Sequence, residues 1–104
     1  MHFLSRPEEM LMLAILRLRD NAYCVSIRET VSELTEKEWS FGAIYVPLHR
    51  LEKKHYVESY MGDPTPERGG RSKRFYKITA LGMKALKETK KAEKRLWEGL
   101  PEFM

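Results

Sequence analysis

Residues 42–54 constrain this chain more than any other feature, because they separate into two faces when read as a helix. At about 100° per residue, Ile44, Leu48 and Leu51 fall on one narrow arc, as a buried helix face requires. The opposite arc holds Val46 and His49, which are small or basic side chains. It contains few acidic residues. The segment therefore predicts a helix that is buried on one side and exposed on the other.

Two short apolar runs follow this helix, residues 56–61 and 74–78, and a loop with two prolines and three glycines separates them. Such a loop between two strand-like runs is typical of a β-hairpin. Its end is basic, with four cations within seven residues: Arg68, Arg71, Lys73 and Arg74. A helix followed by a hairpin with a basic tip is the layout of a winged helix-turn-helix. We therefore predict an α+β, mostly helical fold with a two-stranded wing and a long C-terminal helix.

The distribution of charge favours a polyanionic partner for the second half of the chain. The 104 residues predict one domain with a net charge of +4. Residues 1–40 carry 5 Lys/Arg against 7 Asp/Glu, whereas residues 41–104 carry 14 against 8. A solvated surface explains the lysines of the C-terminal helix, but it explains arginines placed among glycines less well. Double-stranded DNA is the expected partner.

Other classes of protein fit the composition poorly. The single cysteine, Cys24, has no partner for an internal disulfide, and we expect it to be a small buried side chain. A charged start and short apolar runs predict no signal peptide, no membrane partner and a cytoplasmic location. The histidines lack metal-ligand spacing, and no nucleophile elbow or phosphate-cradling loop is present. We therefore expect no enzyme activity, no metal and no cofactor.

Start signals predict where the helices begin. Ser5 and Glu8 form a capping box for a first helix that runs to about Arg19, and Asp20 with Asn21 breaks it. A second helix covers residues 25–35, and Ser40 caps the third. Pro47 lies inside the third helix and predicts a tight or distorted start before it. Thr79 caps a last helix that runs to about residue 98.

Two helices carry apolar surface that a small monomer cannot cover. The first helix is apolar nearly all round over residues 10–16, which includes Met10 and Leu13. The last helix has a stripe of mostly small residues, namely Ala85, Thr89, Ala92 and Leu96. We therefore predict a homodimer. Residues 1–80 form the winged domain, and residues 81–104 form a dimerisation helix that packs on the first helix of the partner subunit.

The chain resembles the PadR family of transcriptional regulators, in its small subclass with one C-terminal dimerisation helix. The third helix fits the pattern G-x-x-Y-x-x-L-x-R-L-E from Gly42 to Glu52. The wing fits G-G-R-x-[KR]-x-[FY]-Y-x-[IL]-T-x-x-G from Gly69 to Gly82. The chain departs from the family in having His55 where glycine is usual before the first strand. It also has proline one place later than is common in the third helix.

The resemblance implies a homodimer that binds an inverted repeat near a promoter and represses transcription. Many members release DNA when a small aromatic or lipophilic molecule binds, in some cases beside a tryptophan of the last helix. Here that role would fall to Trp97, with Met83 completing an apolar pocket at the dimer interface. Simple packing of Trp97 in the dimer explains that residue as well.

The residues predicted to contact DNA lie on the third helix and the wing. Tyr45, Val46, His49 and Lys53 would approach the major groove, and Arg71 and Lys73 would hold phosphates. The full predicted set is Tyr45, Val46, His49, Arg50, Lys53, Arg68, Arg71, Lys73 and Arg74. The alternative is a winged helix used for protein–protein contact without DNA binding.

Overall fold

The computed structural model describes residues 3–62 and 73–100, which form helices and one two-stranded antiparallel sheet. The elements in chain order are α1 (Arg6–Leu18), α2 (Cys24–Thr35), α3 (Phe41–Lys53), β1 (Val57–Met61), β2 (Arg74–Ile78) and α4 (Ala80–Trp97). A short 3-10 turn, Arg19–Asn21, joins α1 to α2 at the predicted break. The predicted α+β, mostly helical class and winged helix-turn-helix order are confirmed.

Polar caps define the starts of three helices, as the sequence predicts. At α1 the Ser5 hydroxyl accepts the Glu8 N–H at 3.3 Å, and the Glu8 carboxylate accepts the Ser5 N–H at 2.8 Å. Ser40 accepts the N–H of Ala43 at 3.1 Å, and Thr79 accepts that of Gly82 at 3.0 Å. These side chains satisfy backbone donors that the first helical turn leaves without partners.

Pro47 does not distort the start of α3, so that expectation is wrong. The segment is α-helical from Phe41 onward, and Pro47 is buried on its inner face beside Leu48. A proline at this position removes one backbone hydrogen bond, the one that would reach the carbonyl of Ala43. Burial of the ring among apolar side chains offsets that loss, because it removes apolar surface from water.

The hairpin has one face toward the helices. Val57 pairs with Ile78, Ser59 with Tyr76, and Met61 with Arg74. Val57 and Tyr76 are buried, whereas Met61 is exposed because it lies beyond the edge of the core. The burial of Val57 and Tyr76 therefore places one face of the hairpin against the helices. The connection between the strands, which includes Arg68 and Arg71, lies outside the described residues.

The core is built around α1 and α3. Leu11, Met12 and Ile15 of α1 are fully buried, together with Ile44 and Leu51 of α3. One broad face of α1 is thus internal, but its predicted apolar excess is real, since Leu13 is 47% exposed and Leu16 is 41% exposed.

The two halves of α4 have different surroundings. Ala85 and Leu86 belong to the same core as α1, and Gly82 brings the helix against the backbone of Tyr56. Beyond Thr89 no residue of α4 is buried, and Leu96 is 74% exposed. The first half of α4 therefore closes the winged domain, and the second half projects from it.

Candidate nucleic-acid interface

The position of α3 is set by contacts at both of its ends. At the start, the Arg28 guanidinium lies 4.6 Å from the centre of the Phe41 ring, and its Nε donates to the Trp39 carbonyl at 2.6 Å. At the end, the Lys54 ammonium pairs with the buried Glu8 carboxylate at 2.8 Å. Burial alone would raise the pKa of Glu8, but hydrogen bonds from Lys54 and Ser5 outweigh it and lower that pKa. Thus α3 is fixed to α2 and α1, and its outer face is held in place.

The outer face of α3 is exposed along its length and has the chemistry to read DNA. The exposed residues are Tyr45, Val46, His49, Arg50 and Lys53. The rings of Tyr45 and His49 stack with an interplanar angle of 7° and a centroid distance of 6.4 Å. A flat, partly apolar surface with cations at its margin suits a major groove, where base edges are flanked by phosphates.

The wing is anchored to the start of α2, and therefore to α3. The Tyr76 N–H donates to the Ala22 carbonyl at 2.8 Å, and Tyr23 forms a β-bridge with Phe75. The two rings of Tyr23 and Phe75 meet edge to face at 5.6 Å. Lys73 is drawn into this contact, with its ammonium 4.0 Å from the centre of the Tyr23 ring. Lys73 is thus held beside the Tyr23 ring by a cation–π contact.

Arg74 is connected to α3 through a serine that sequence reasoning did not single out. The Arg74 Nη1 donates to the Ser59 hydroxyl at 2.9 Å, and that hydroxyl donates to the Glu52 carboxylate at 2.7 Å. In the sequence, only the alternation of β1 points to Ser59. This polar residue lies two positions after Val57, on the face of the strand that should face the core. We call this chain of contacts, Glu52–Ser59–Arg74, the wing relay.

A groove of about 400 Å³ separates α3 from the wing. It is lined by Tyr45, His49, Glu52, Lys53, Arg74 and Tyr76. Burial, followed by the nearby Glu52 charge, raises the pKa of Tyr76, so its hydroxyl keeps its proton. The structure therefore brings four of the predicted DNA-contacting residues to one groove, and places Val46 and Arg50 beside it on α3.

Comparison with known proteins decides the family. Residues 12–88 match the transcriptional regulator PadR-like family. The chain belongs to the PadR-like family of transcriptional regulators. A protein of Lysinibacillus sphaericus with no described function is 33% identical over 89 residues, which is 84% of this chain and 79% of that protein.

Solved structures agree with this membership. A PadR family transcription regulator from Clostridium difficile is 33% identical, with a TM-score of 0.63 and coverage of 86% of this chain and 88% of the other. A transcriptional regulator from Clostridium thermocellum has the same fold at 21% identity, with a TM-score of 0.74 and coverage of 94% and 89%.

The departure from the PadR pattern at His55 has a structural consequence. His55 adopts a φ of +63°, in the left-handed region that glycine enters without a side-chain penalty. Its N–H donates to the Glu52 carbonyl at 3.0 Å and the Tyr56 N–H donates to the Leu51 carbonyl at 3.0 Å, which ends α3 and starts the strand. The turn between α3 and β1 therefore holds one non-glycine residue in a strained conformation.

The residues predicted for dimerisation fall into two groups. Ala85 and Thr89 are buried within the chain itself, and the Leu4 N–H approaches the Thr89 hydroxyl at 3.5 Å. Met10 and Ala92 are half-buried, and Leu13 and Leu96 are exposed. Only the second group, on α1 and the far half of α4, has surface that the single chain leaves accessible.

The two residues predicted to bind a ligand are not brought together within one chain. Met83 is half-buried near the start of α4, whereas Trp97 is exposed at its end. Fourteen residues of helix separate them, a distance of about 21 Å. A pocket lined by both would need the Trp97 of one subunit and the Met83 of another.

The described residues do not favour a metal site, a membrane span or a reactive thiol. Within residues 3–62 and 73–100, no group of three or more His, Cys, Asp or Glu side chains could hold a metal ion. No helix in that part of the chain is long and apolar enough to cross a membrane. Burial raises the pKa of the half-buried Cys24 thiol, which disfavours the reactive thiolate.

Proposed function

We propose that this PadR-like regulator binds duplex DNA, with α3 in the major groove and the wing on the phosphate backbone. The single observation that supports this most strongly is the exposed face of α3 beside a groove that also presents Arg74. The family membership points the same way, because its members are transcriptional regulators.

The roles of the individual residues follow from their chemistry. Tyr45, Val46 and His49 would contact base edges, because they combine apolar surface with a hydroxyl and an imidazole that can donate or accept hydrogen bonds. The phosphates would be held by the cations around them, namely Arg50, Lys53, Arg68, Arg71, Lys73 and Arg74. Lys73 would have to leave the Tyr23 ring to reach a phosphate, so we expect it to contribute least.

The proposed regulator acts as a homodimer through α1 and α4. Leu13 and Leu96 are exposed leucines on these two helices, and a second copy is the natural cover for them. Two winged domains related by a two-fold axis would contact an inverted repeat, with half-sites about one helical turn apart or a multiple of it. Occupation of such a site near a promoter would repress transcription.

Selection of bound duplexes from a random pool, repeated in increasing salt, tests DNA binding. We expect one sequence with two-fold symmetry to be enriched, and its affinity to fall steeply as salt rises. Arg71→Ala should weaken all duplexes alike and reduce the salt slope by about 1. A pool from which no sequence is enriched would instead favour a winged helix used only for protein–protein contact.

Sedimentation of a charge-insertion variant tests the dimer. Leu96→Glu places a carboxylate on the proposed interface without disturbing the core, because Leu96 is exposed in the single chain. We expect this variant to sediment as a monomer. Met61→Glu makes the same change at an exposed position of β1, and it should remain a dimer. Dimers of equal stability for both variants would contradict the proposed interface.

We also propose that a flat aromatic effector releases the regulator from DNA. The proposed pocket joins the exposed Trp97 of one subunit with Met83 of the other, because these two apolar side chains suit a planar lipophilic molecule. A panel of planar cationic and phenolic compounds should lower operator affinity in the natural protein. The same compounds should have no effect on Trp97→Ala. If the compounds lower the operator affinity of Trp97→Ala as much as that of the natural protein, the proposed effector site is wrong. The proposal of DNA binding is not affected by that result.

A further inference from the structure

The wing relay joins the two elements that the proposed function assigns to DNA. Ser59 lies on β1 opposite Tyr76, whereas Arg74 pairs with Met61, two residues closer to the tip of the hairpin. The arginine therefore reaches back diagonally along the sheet toward α3. A free arginine at an exposed strand position extends its charged end into water. A specific contact must therefore hold the Arg74 side chain in the direction of α3.

The cause is the order of donors and acceptors in the relay. A guanidinium can only donate hydrogen bonds, and an ionised carboxylate can only accept them. The Ser59 hydroxyl has one proton, which it donates to Glu52 at 2.7 Å, and its lone pairs are then free to accept Arg74 at 2.9 Å. The hydroxyl can point in no other way while both charges are present.

The relay leaves Arg74 with most of its binding capacity. A guanidinium carries five N–H donors, and the serine occupies one of them. Arg74 lines the groove together with His49 and Lys53. The carboxylate of Glu52, which would repel a phosphate entering this groove, is balanced by the arginine next to it.

We propose that Ser59 and Glu52 are positioning residues that hold Arg74 in the α3–wing groove, ready to bind a DNA phosphate. This inference rests on the proposed function, since it assigns a role within DNA binding. Preorganisation of a long, flexible side chain saves the entropy that the side chain would lose on binding DNA. The relay therefore contributes to operator affinity although Ser59 itself contacts no DNA.

Two variants of equal shape isolate the hydroxyl. Ser59→Thr keeps the hydroxyl, and Ser59→Val replaces it with a methyl group of the same size. Both are β-branched residues that suit a strand. We expect the Thr variant to bind the selected duplex as the natural protein does. The Val variant should bind about five- to tenfold more weakly, the cost expected when one long, flexible side chain must be immobilised on binding.

A double-mutant cycle with Arg74→Ala separates positioning from a merely structural role. When Arg74 is absent, Ser59→Val should cause no further loss of affinity, because the side chain that it positions is gone. Losses that multiply would overturn the inference, and so would equal affinities for Ser59→Val and Ser59→Thr. If Ser59→Val does not fold, Ser59→Ala removes the same hydroxyl without adding bulk and takes its place in the cycle.

The natural protein serves as the control for the proposed function. If it selects no duplex, DNA binding itself fails before any variant is compared. If it binds tightly and the cycle shows no coupling, only the positioning role of Ser59 and Glu52 fails.

Discussion

Gly82 is where a single methyl group should have the largest effect on the fold. It lies in the first turn of α4, directly against the backbone of Tyr56, the residue before β1. A Cβ at this position would overlap the Tyr56 carbonyl and lie 3.0 Å from Cγ2 of Ile78. The same carbonyl accepts the Thr79 N–H at 3.1 Å, so moving it also weakens the hydrogen bond that starts α4.

The expected cost of Gly82→Ala combines three contributions. Overpacking costs about 1–3 kcal/mol. Loss of the hydrogen bond costs about 1 kcal/mol more. The higher helix propensity of alanine returns about 1 kcal/mol. We therefore expect the free energy of unfolding to fall by about 1–3 kcal/mol in urea titrations of the full chain at fixed protein concentration.

Gly42→Ala is the matched control, because it makes the same change in the first turn of another capped helix. At Gly42 the nearest heavy atom to a new Cβ is the Ser40 hydroxyl oxygen, at 3.9 Å. With no clash, helix propensity alone should raise the free energy of unfolding by about 0.5–1 kcal/mol. The reasoning is refuted if the two variants change stability in the same direction by similar amounts.

Three further predictions concern strain and buried charge, and each is checked by urea unfolding. His55→Gly should stabilise the protein by about 1 kcal/mol, because it relieves a left-handed residue; no gain would contradict this. Burial and the neighbouring Glu93 charge raise the pKa of Glu9, so its contribution to stability is present below pH 4.5 and lost as the pH rises through the folded pKa. Glu9→Gln should therefore stabilise at pH 7 and lose this advantage at pH 4; a constant difference would refute the assignment. The lowered pKa of Glu8 has the opposite sign, since its contribution is present above pH 4.5 and lost as the pH falls through the folded pKa. Lys54→Met should cost about 1 kcal/mol at pH 7, with the cost shrinking in acid, and an equal cost at both pH values would contradict the pairing with Glu8.

Most of the fold could be predicted from the sequence, because the signals that start and end helices and strands are local. A cap such as Ser5 or Ser40 acts within one helical turn, and strand parity acts between neighbouring residues. These signals predicted the order of the elements and the caps of α1, α3 and α4. The predicted distortion at Pro47 was wrong, because the local rule considers only the lost backbone hydrogen bond. It leaves out the favourable burial of the proline ring.

The wing relay and the contact of Lys73 with Tyr23 could not be predicted from local sequence patterns. Both depend on which side chains meet across elements that are far apart in sequence. A basic wing predicts cations near DNA, but it does not predict that Lys73 rests on Tyr23 or that Arg74 turns back toward α3. The packing of the wing against α3 and against the segment before α2 decides these contacts.

The stripe on α4 shows a related limit. A run of small residues predicts that a helix face is covered, but not by which chain. Ala85 and Thr89 are covered by their own chain, whereas Leu96 is left exposed. Periodicity alone does not separate the two cases, because the burial of an apolar face looks the same in sequence for a core and for an interface.

The most direct test of DNA reading by α3 is the base-preference profile of His49→Ala. The affinities of the natural protein and this variant would be measured for the selected duplex and for every single-base-pair substitution of it. We predict that the variant loses discrimination at one or two positions in each half-site, with each lost contact worth about 1–3 kcal/mol, and keeps its preferences elsewhere. A uniform loss across all duplexes, or an unchanged profile, would contradict the placement of α3 in the major groove.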